Sequence, residues 1–304
     1  MNEYILTTRD ITKEFNNHKA VDSLNIHLKK GCIYGFIGRN GAGKTTTLKM
    51  LSSLSKPTSG EISMFGLTGN DCRKVRNKIG CLIEAPGLYP DMSAFENLKI
   101  KCLANGVYSK QYVNELLEIV GLSNVGSKTT QHFSLGMKQR LGIALALVGN
   151  PELLILDEPT NGLDPQGIIE MRNTLSKLNT ERNLTILVSS HILEELAKIA
   201  TDYGIIHDGK LIKEFTAEEL SSMSDKHIEL TVNSVDDAAT VLKNMGIDDF
   251  KVINDSSINI YGHIDESASI NNNLFAAGVV ISDFSVKSMD LEEFYMNLTG
   301  EENQ

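Results

Sequence analysis

Short apolar runs separated by polar or glycine-rich turns set the plan of the first two-thirds of the chain. Cys32 to Ile37 is a continuous strand-like run, and Thr46 to Leu54 has helical spacing. Before it, Tyr4 to Thr8 and Leu24 to Leu28 alternate with period two, which predicts a small antiparallel sheet. Further strands are expected at Glu61–Phe65, within Lys78–Pro86, at Leu153–Leu156 and at Thr185–Val188. Tyr203–His207 and Lys210–Phe215, joined by Asp208-Gly209, predict a two-residue hairpin. Between these strands the pattern turns helical. Ser93 and Glu96 form a capping box for a helix to about Leu103, and Val113, Leu116, Leu117 and Val120 keep helical spacing up to Gly121. Leu141, Leu145 and Val148 mark another helix, so about residues 85–150 read as a helical insertion in an alternating β/α chain. From His227 a second pattern begins. Strand, helix, two strands, helix and strand follow at Ile228–Val232, Ser234–Met245, Phe250–Ile253, Ile258–Tyr261, Ile264–Ala277 and Val279–Val286, with a last helix at Leu291–Leu298. The order βαββαβ predicts a ferredoxin-like appendage. Residues 1–220 and 227–304 are thus expected to form two domains.

With 304 residues, 41% of them hydrophobic, the chain is long enough for one large domain and one smaller one. A net charge of −10 gives no electrostatic footprint for nucleic acid or an anionic membrane surface. Cys32, Cys72, Cys81 and Cys102 lack metal-ligand spacing and read as buried thiols in a reducing cytosol. The N-terminus has no signal core, and no apolar run approaches a bilayer's span. A membrane role would therefore need another chain to cross the membrane.

The chemistry starts at Gly38-Arg39-Asn40-Gly41-Ala42-Gly43-Lys44-Thr45-Thr46, a phosphate-loop pattern between the predicted strand and helix. Glycines let the backbone curl so that amide groups and the helix N-terminus point at an anion. Lys44 adds a mobile charge, and the Thr45 hydroxyl suits Mg²⁺. Leu153 to Leu156 then delivers Asp157 and Glu158, paired acids that serve no evident structural purpose at the end of a buried strand. In phosphate-loop enzymes an acid here holds Mg²⁺, which assigns Asp157 to the metal and leaves Glu158 to act on the attacking water. His191 ends a neighbouring strand, where contact with a γ-phosphate is expected. Glu84 also stands at a strand end. Ser134 is a helix N-cap that can serve a phosphate as well, and Asp164 before Pro165 caps the next helix. Phe15, set in a polar turn, can stack on adenine or pack into the core.

The order of these motifs resembles the ATP-binding subunit of an ABC transporter across residues 1 to about 220. Gly38–Thr46 resembles the Walker A loop, Phe133–Met137 the signature, and Leu153–Glu158 the Walker B strand. Phe15 matches the adenine-stacking aromatic, Asp164 the D-loop aspartate and His191 the switch histidine. The resemblance implies an α/β P-loop ATPase fold with mixed sheet core, small antiparallel β subdomain and helical subdomain. It also implies two subunits pairing head to tail around two Mg-ATP, with Ser134 and Gly136 facing the nucleotide of the other chain. Three stretches, Ile83–Tyr89, Phe133–Ala144 and Ser189–Leu193, narrow it to the bacitracin-resistance and lantibiotic-immunity exporter ATPases of Gram-positive bacteria. Two departures from the wider family stand out. Glu84 replaces a glutamine, and Leu135 and Met137 replace a signature glycine and glutamine, while Gly136 still allows close backbone approach to phosphate. A carboxylate at 84 is expected to engage the metal or the attacking water when the transmembrane partner positions its loop.

The resemblance therefore implies a Mg-dependent ATPase that energises a separate polytopic permease exporting an antimicrobial peptide or drug. It would lie in the cytoplasm, peripheral on the inner face of the plasma membrane, paired with itself or a sister subunit. The alternatives are a soluble ABC-type ATPase or a nucleotide-gated module. The single cassette without coiled-coil arms speaks against the first, and Glu158 with His191 against the second.

Overall fold

The computed structural model describes residues 3–223, 226–287 and 291–299. The chain folds as two compact units, Met1–Ala217 and Glu218–Gln304, each with its own apolar core. The first unit begins with β1 (Tyr4–Phe15), β2 (His18–Leu24), β3 (His27–Lys29) and β4 (Ile33–Ile37). Then come α1 (Lys44–Leu51), β5 (Ser59–Met64), β6 (Leu67–Thr68), a 3₁₀ stretch over Gly69–Lys78, and β7 (Ile79–Leu82). Helices α2 (Ala94–Ala104), α3 (Lys110–Ile119) and α4 (Leu135–Ala146) form the insertion. The unit closes with β8 (Leu153–Asp157), α5 (Pro165–Arg182), β9 (Thr185–Ser190), α6 (Leu193–Ala197), β10 (Asp202–His207) and β11 (Lys210–Thr216).

Two sheets result. One is antiparallel, ordered β2-β1-β5-β6 with β3 also on β1. The other is ordered β11-β10-β4-β9-β8-β7 and is parallel except for β11. Every residue of β4, β8 and β9 is buried, which is why Ile33–Ile37, Leu153–Leu156 and Ile186–Val188 read as apolar runs. Their register sets Ile37 beside Ser190 and Asp157 beside Ser189, so the C-terminal ends of all three strands meet. Ligands of parallel sheets bind at those ends. The hairpin between β10 and β11 turns through Asp208 and Gly209, both with positive φ, as a two-residue type I′ turn requires.

The helices follow their local signals. At α2 the Glu96 amide donates to Ser93 Oγ (3.2 Å) and the Ser93 amide to Glu96 Oε2 (2.8 Å), completing the capping box. Helix α3 buries Val113, Leu116 and Leu117 on one face. Helix α4 packs hard on the end of β7. A Cβ at Gly142 would lie 2.8 Å from Pro86 Cβ and 3.0 Å from Leu82 Cδ1, so only glycine fits there. Arg140 of α4 also ion-pairs with Glu170 of α5.

Two buried groups near β4 have displaced acidities. Tyr34 donates to Glu214 Oε1 at 2.7 Å, and the same oxygen accepts from the His27 amide at 2.9 Å, tying β3 and β4 to β11. Burial, reinforced by Glu214, holds the Tyr34 phenol well above its ordinary value, so it stays a donor. Burial likewise pushes the Cys32 thiol up to about 12. Since the thiolate is the nucleophile, iodoacetamide at pH 8 is expected to leave Cys32 unmodified in the native chain and to label it after denaturation. Mass spectrometry of the peptides checks this. Native labelling as fast as in denaturant would refute it.

The second unit contains α7 (Ala217–Met223, starting one residue before it), β12 (His227–Val232), α8 (Val235–Asn244), β13 (Phe250–Asn254), β14 (Ser257–Tyr261), α9 (Ser267–Ala276), β15 (Ile281–Lys287) and α10 (Leu291–Thr299). Its sheet is antiparallel, ordered β13-β14-β12-β15, which is the ferredoxin-like arrangement. Ile228, Leu230, Ile258 and Ile260 pack with Leu242 of α8 and with Ile270 and Leu274 of α9.

Some expected boundaries move. The first strand was expected to stop at Thr8 but runs to Phe15. Asp10 adopts φ 50° and the register against β5 shifts there, after which the strand continues against β2. Phe15 therefore ends a strand instead of sitting in a turn. The helix expected from Ile264 is a 3₁₀ turn over Ile264–Glu266 followed by α9, and the last strand starts at Ile281, not Val279.

Candidate functional site

The loop between β4 and α1 needs unusual backbone. Gly41 and Gly43 have φ 86° and 104°, and a Cβ at Gly43 would come within 2.5 Å of the Ala20 carbonyl oxygen. Gly43 caps α1 without a side-chain bond, which leaves the amides of the first turn open toward an anion. Lys44 is buried and folds back over the loop. Its Nζ donates to the carbonyls of Gly38 (2.6 Å) and Arg39 (3.1 Å) and lies 3.2 Å from Glu158 Oε1. Gly38, Asn40, Ala42 and Thr46 belong to the same loop and first turn, with Asn40 exposed at its tip.

The end of β8 faces this loop. Asp157 is buried and accepts from Thr45 Oγ1 at Oδ2 (2.8 Å) and from Ser189 Oγ at Oδ1 (2.7 Å). Glu158 has a left-handed backbone (φ 46°), and its amide donates to Ser189 Oγ at 3.0 Å. Its Oε2 accepts from His191 Nδ1 at 2.9 Å and from Asn161 Nδ2 at 3.3 Å, the carboxylate being acceptor only. Thr45, Asp157, Ser189, Glu158, His191 and Lys44 thus form one connected group. The hydroxyl and carboxylate oxygens of Thr45 and Asp157 suit Mg²⁺, a hard cation that takes few protein ligands and keeps its waters. No group of three or more His, Cys, Asp or Glu side chains arranged to hold a metal ion by themselves occurs among the described residues.

Other predicted positions stand apart from that group. The Glu84 side chain is 64% exposed and pairs with Lys49 of α1 at 2.5 Å, so it is held by α1 and not by Thr45 or Asp157. Ser134 caps α4 by accepting from the Met137 amide at 3.3 Å, and Asp164 caps α5 by accepting from the Gly167 amide at 3.1 Å. Both are exposed and share one surface. The Cβ position of Gly136 lies 3.7 Å from Leu163 Cδ2, and that of Gly162 lies 3.0 Å from Leu135 Cδ2. Phe15 is 51% exposed with Lys13 Nζ 5.1 Å from its ring centre, so it is not a core residue.

Three contributors escaped the sequence reading: Lys49, Asn161 and Ser189. For Ser189 the available signal was a pair of serines ending an otherwise apolar strand.

A family model described as "ABC transporter" matches residues 21–161. The chain is 44% identical over 298 residues to the bacitracin transport ATP-binding protein BcrA of Bacillus licheniformis, covering 97% of each. It is 43% identical over 217 residues to the lantibiotic transport ATP-binding protein SrtF of Streptococcus pyogenes, covering 71% of this chain and 93% of that one. Among solved structures, the dimeric post-hydrolysis state of the ATP-binding cassette MJ0796 bound to ADP and Pi superposes with a TM-score of 0.63. The identity is 26%, and 70% of this chain and 98% of that one are covered.

Proposed function

From the premise that the chain belongs to the ATP-binding subunits of ABC transporters, an ATPase family, we propose that it hydrolyses Mg-ATP to drive a separate permease exporting an antimicrobial peptide. The observation that carries the catalytic part is the split of the two acids at the end of β8. Asp157 is joined to Thr45, and Glu158 to Lys44 and His191.

In this reading the amides of α1's first turn and Lys44 bind the phosphates. Thr45 and Asp157 would hold Mg²⁺, which when bound would supply positive charge against that developing on the phosphates. Glu158 orients the attacking water and accepts its proton. His191 and Asn161 fix the carboxylate from the far side. Because Lys44 pairs with Glu158, nucleotide binding draws the lysine toward phosphate and leaves Glu158 to the water. The exposure of Ser134 and Asp164 on one surface, with Gly136 half-buried beside them, supports their facing the ATP of a second ATPase subunit, itself or a sister chain. That of Phe15 supports stacking on adenine.

The transported class follows from the relatives named for bacitracin and lantibiotic transport. No helix among the described residues is long and apolar enough to cross a membrane. In this reading the chain attaches to the inner face of the plasma membrane through the permease. A groove of about 610 Å³ beside Glu84, lined by Leu82, Ile83, Pro86, Tyr89, Ile100 and Lys101 among others, is the proposed docking place for the permease. Occupation of that groove would release Glu84 from Lys49 toward the metal or the water.

Co-expression with a tagged permease tests the whole. The expected result is recovery of the chain with the membrane fraction and an ATPase rate that responds to the exported peptide. A chain that stays in the soluble fraction beside its permease, hydrolysing ATP at an unchanged rate, would overturn the transport reading.

A further inference from the structure

Ser189 is completely buried at the end of β9, directly beside Asp157 of β8. A serine hydroxyl has one proton and two lone pairs. Here the proton goes to Asp157 Oδ1 (2.7 Å), and a lone pair takes the amide of Glu158 (3.0 Å). One side chain therefore sets two features. It fixes the plane of the Asp157 carboxylate, whose other oxygen receives Thr45. It also gives the Glu158 amide a partner just where that residue turns left-handed and β8 ends. The adjacent Ser190, also buried, does neither, since its Oγ bonds to the backbone of Ile192. The two serines thus have separate duties, one across the strands and one within its own turn.

We propose that Ser189 is a positioning residue for Mg-nucleotide, acting through Asp157 and Glu158 without touching substrate. The proposal rests on the Mg-ATP reading of the site. Alanine at 189 leaves the buried Asp157 Oδ1 without its donor and the Glu158 amide without its acceptor. The carboxylate is then free to rotate, and the metal loses a preset ligand. Groups that orient metal ligands typically carry about 10- to 100-fold of metal affinity or activity.

The test is a titration of the full-length chain with a fluorescent N-methylanthraniloyl ATP, in EDTA and in Mg²⁺, for wild type, Ser189→Ala, Ser189→Thr and Ser189→Cys. Wild type is expected to bind more tightly with Mg²⁺. Ser189→Ala should match wild type in EDTA and lose about tenfold of the Mg²⁺ enhancement. Ser189→Thr, which keeps the hydroxyl, should recover it. Ser189→Cys nearly preserves volume but donates weakly, and it should behave as alanine does if the alanine variant does not fold. An undiminished Mg²⁺ enhancement in the alanine or cysteine variant overturns the proposal, as does an equal loss in EDTA and Mg²⁺. A wild type indifferent to Mg²⁺ overturns the Mg-ATP reading beneath it, a result distinct from either.

Discussion

Glutamine at position 158 is expected to lower ATP turnover by about two to four orders of magnitude, the usual range for loss of a general base. The replacement keeps the shape of the side chain and a carbonyl oxygen for His191 and Asn161, whose contacts with Glu158 are 2.9 and 3.3 Å. What it removes is the capacity to take a proton, together with the charge that pairs with Lys44 at 3.2 Å. Nucleotide binding should therefore survive or tighten, because Lys44 no longer has to leave a carboxylate to meet phosphate. The variant should collect as an ATP-bound dimer on size exclusion in Mg-ATP while phosphate release stalls. Equal turnover by both proteins would move the role to His191 or Glu84.

Alanine at position 43 is the second large effect. The added Cβ would sit 2.5 Å from the Ala20 carbonyl oxygen, and φ is 104°. Holding a side-chain-bearing residue in such a backbone region costs about 1–3 kcal/mol. Forcing an extra carbon into a packed place adds about 1–3 kcal/mol. The loop escapes by moving, which turns the first amides of α1 away from the phosphates. Taking about 2 kcal/mol of this as lost affinity, the nucleotide dissociation constant should rise roughly thirtyfold. Gly41→Ala is the useful contrast. Its Cβ would have no atom within 4 Å, so only the φ 86° strain applies and the loss should be smaller. Calorimetric titration of both variants with ATP separates the two terms. Equal affinity for Gly43→Ala and wild type would mean that the loop's curvature does not set phosphate binding.

What was readable in the sequence is what local spacing carries. The phosphate loop, the acids after Leu153–Leu156 and the caps at Ser93, Ser134 and Asp164 each depend on residues a few positions apart, and all have the expected local structure. The βαββαβ order of the second unit was legible for the same reason, through its alternating strands and capped helix. Ser189 was not, because its value comes from which strand lies beside β8, and register between strands is a non-local fact. Lys49 and Glu84 pair across 35 positions, and neither is unusual in its own neighbourhood. The 3₁₀ stretch over Gly69–Lys78 is strongly polar and buries only Val75, so it left no apolar pattern to read.

Gly142 has a mechanical meaning beyond packing. The backbone of α4 touches Pro86 and Leu82 at that point, while Ser134 caps the same helix eight residues earlier, about 12 Å away at 1.5 Å per residue. Arg140 fastens α4 to α5, whose own start is Asp164. A densely packed contact transmits displacement because it has no slack to absorb it. Pressure on Pro86 is therefore expected to act like a thumb on a short rigid lever, with Ser134 at its far end and α5 tied to it through Arg140. Bulk at residue 142 would prise the helix off that contact, and trimming Pro86 or Leu82 would give the lever backlash.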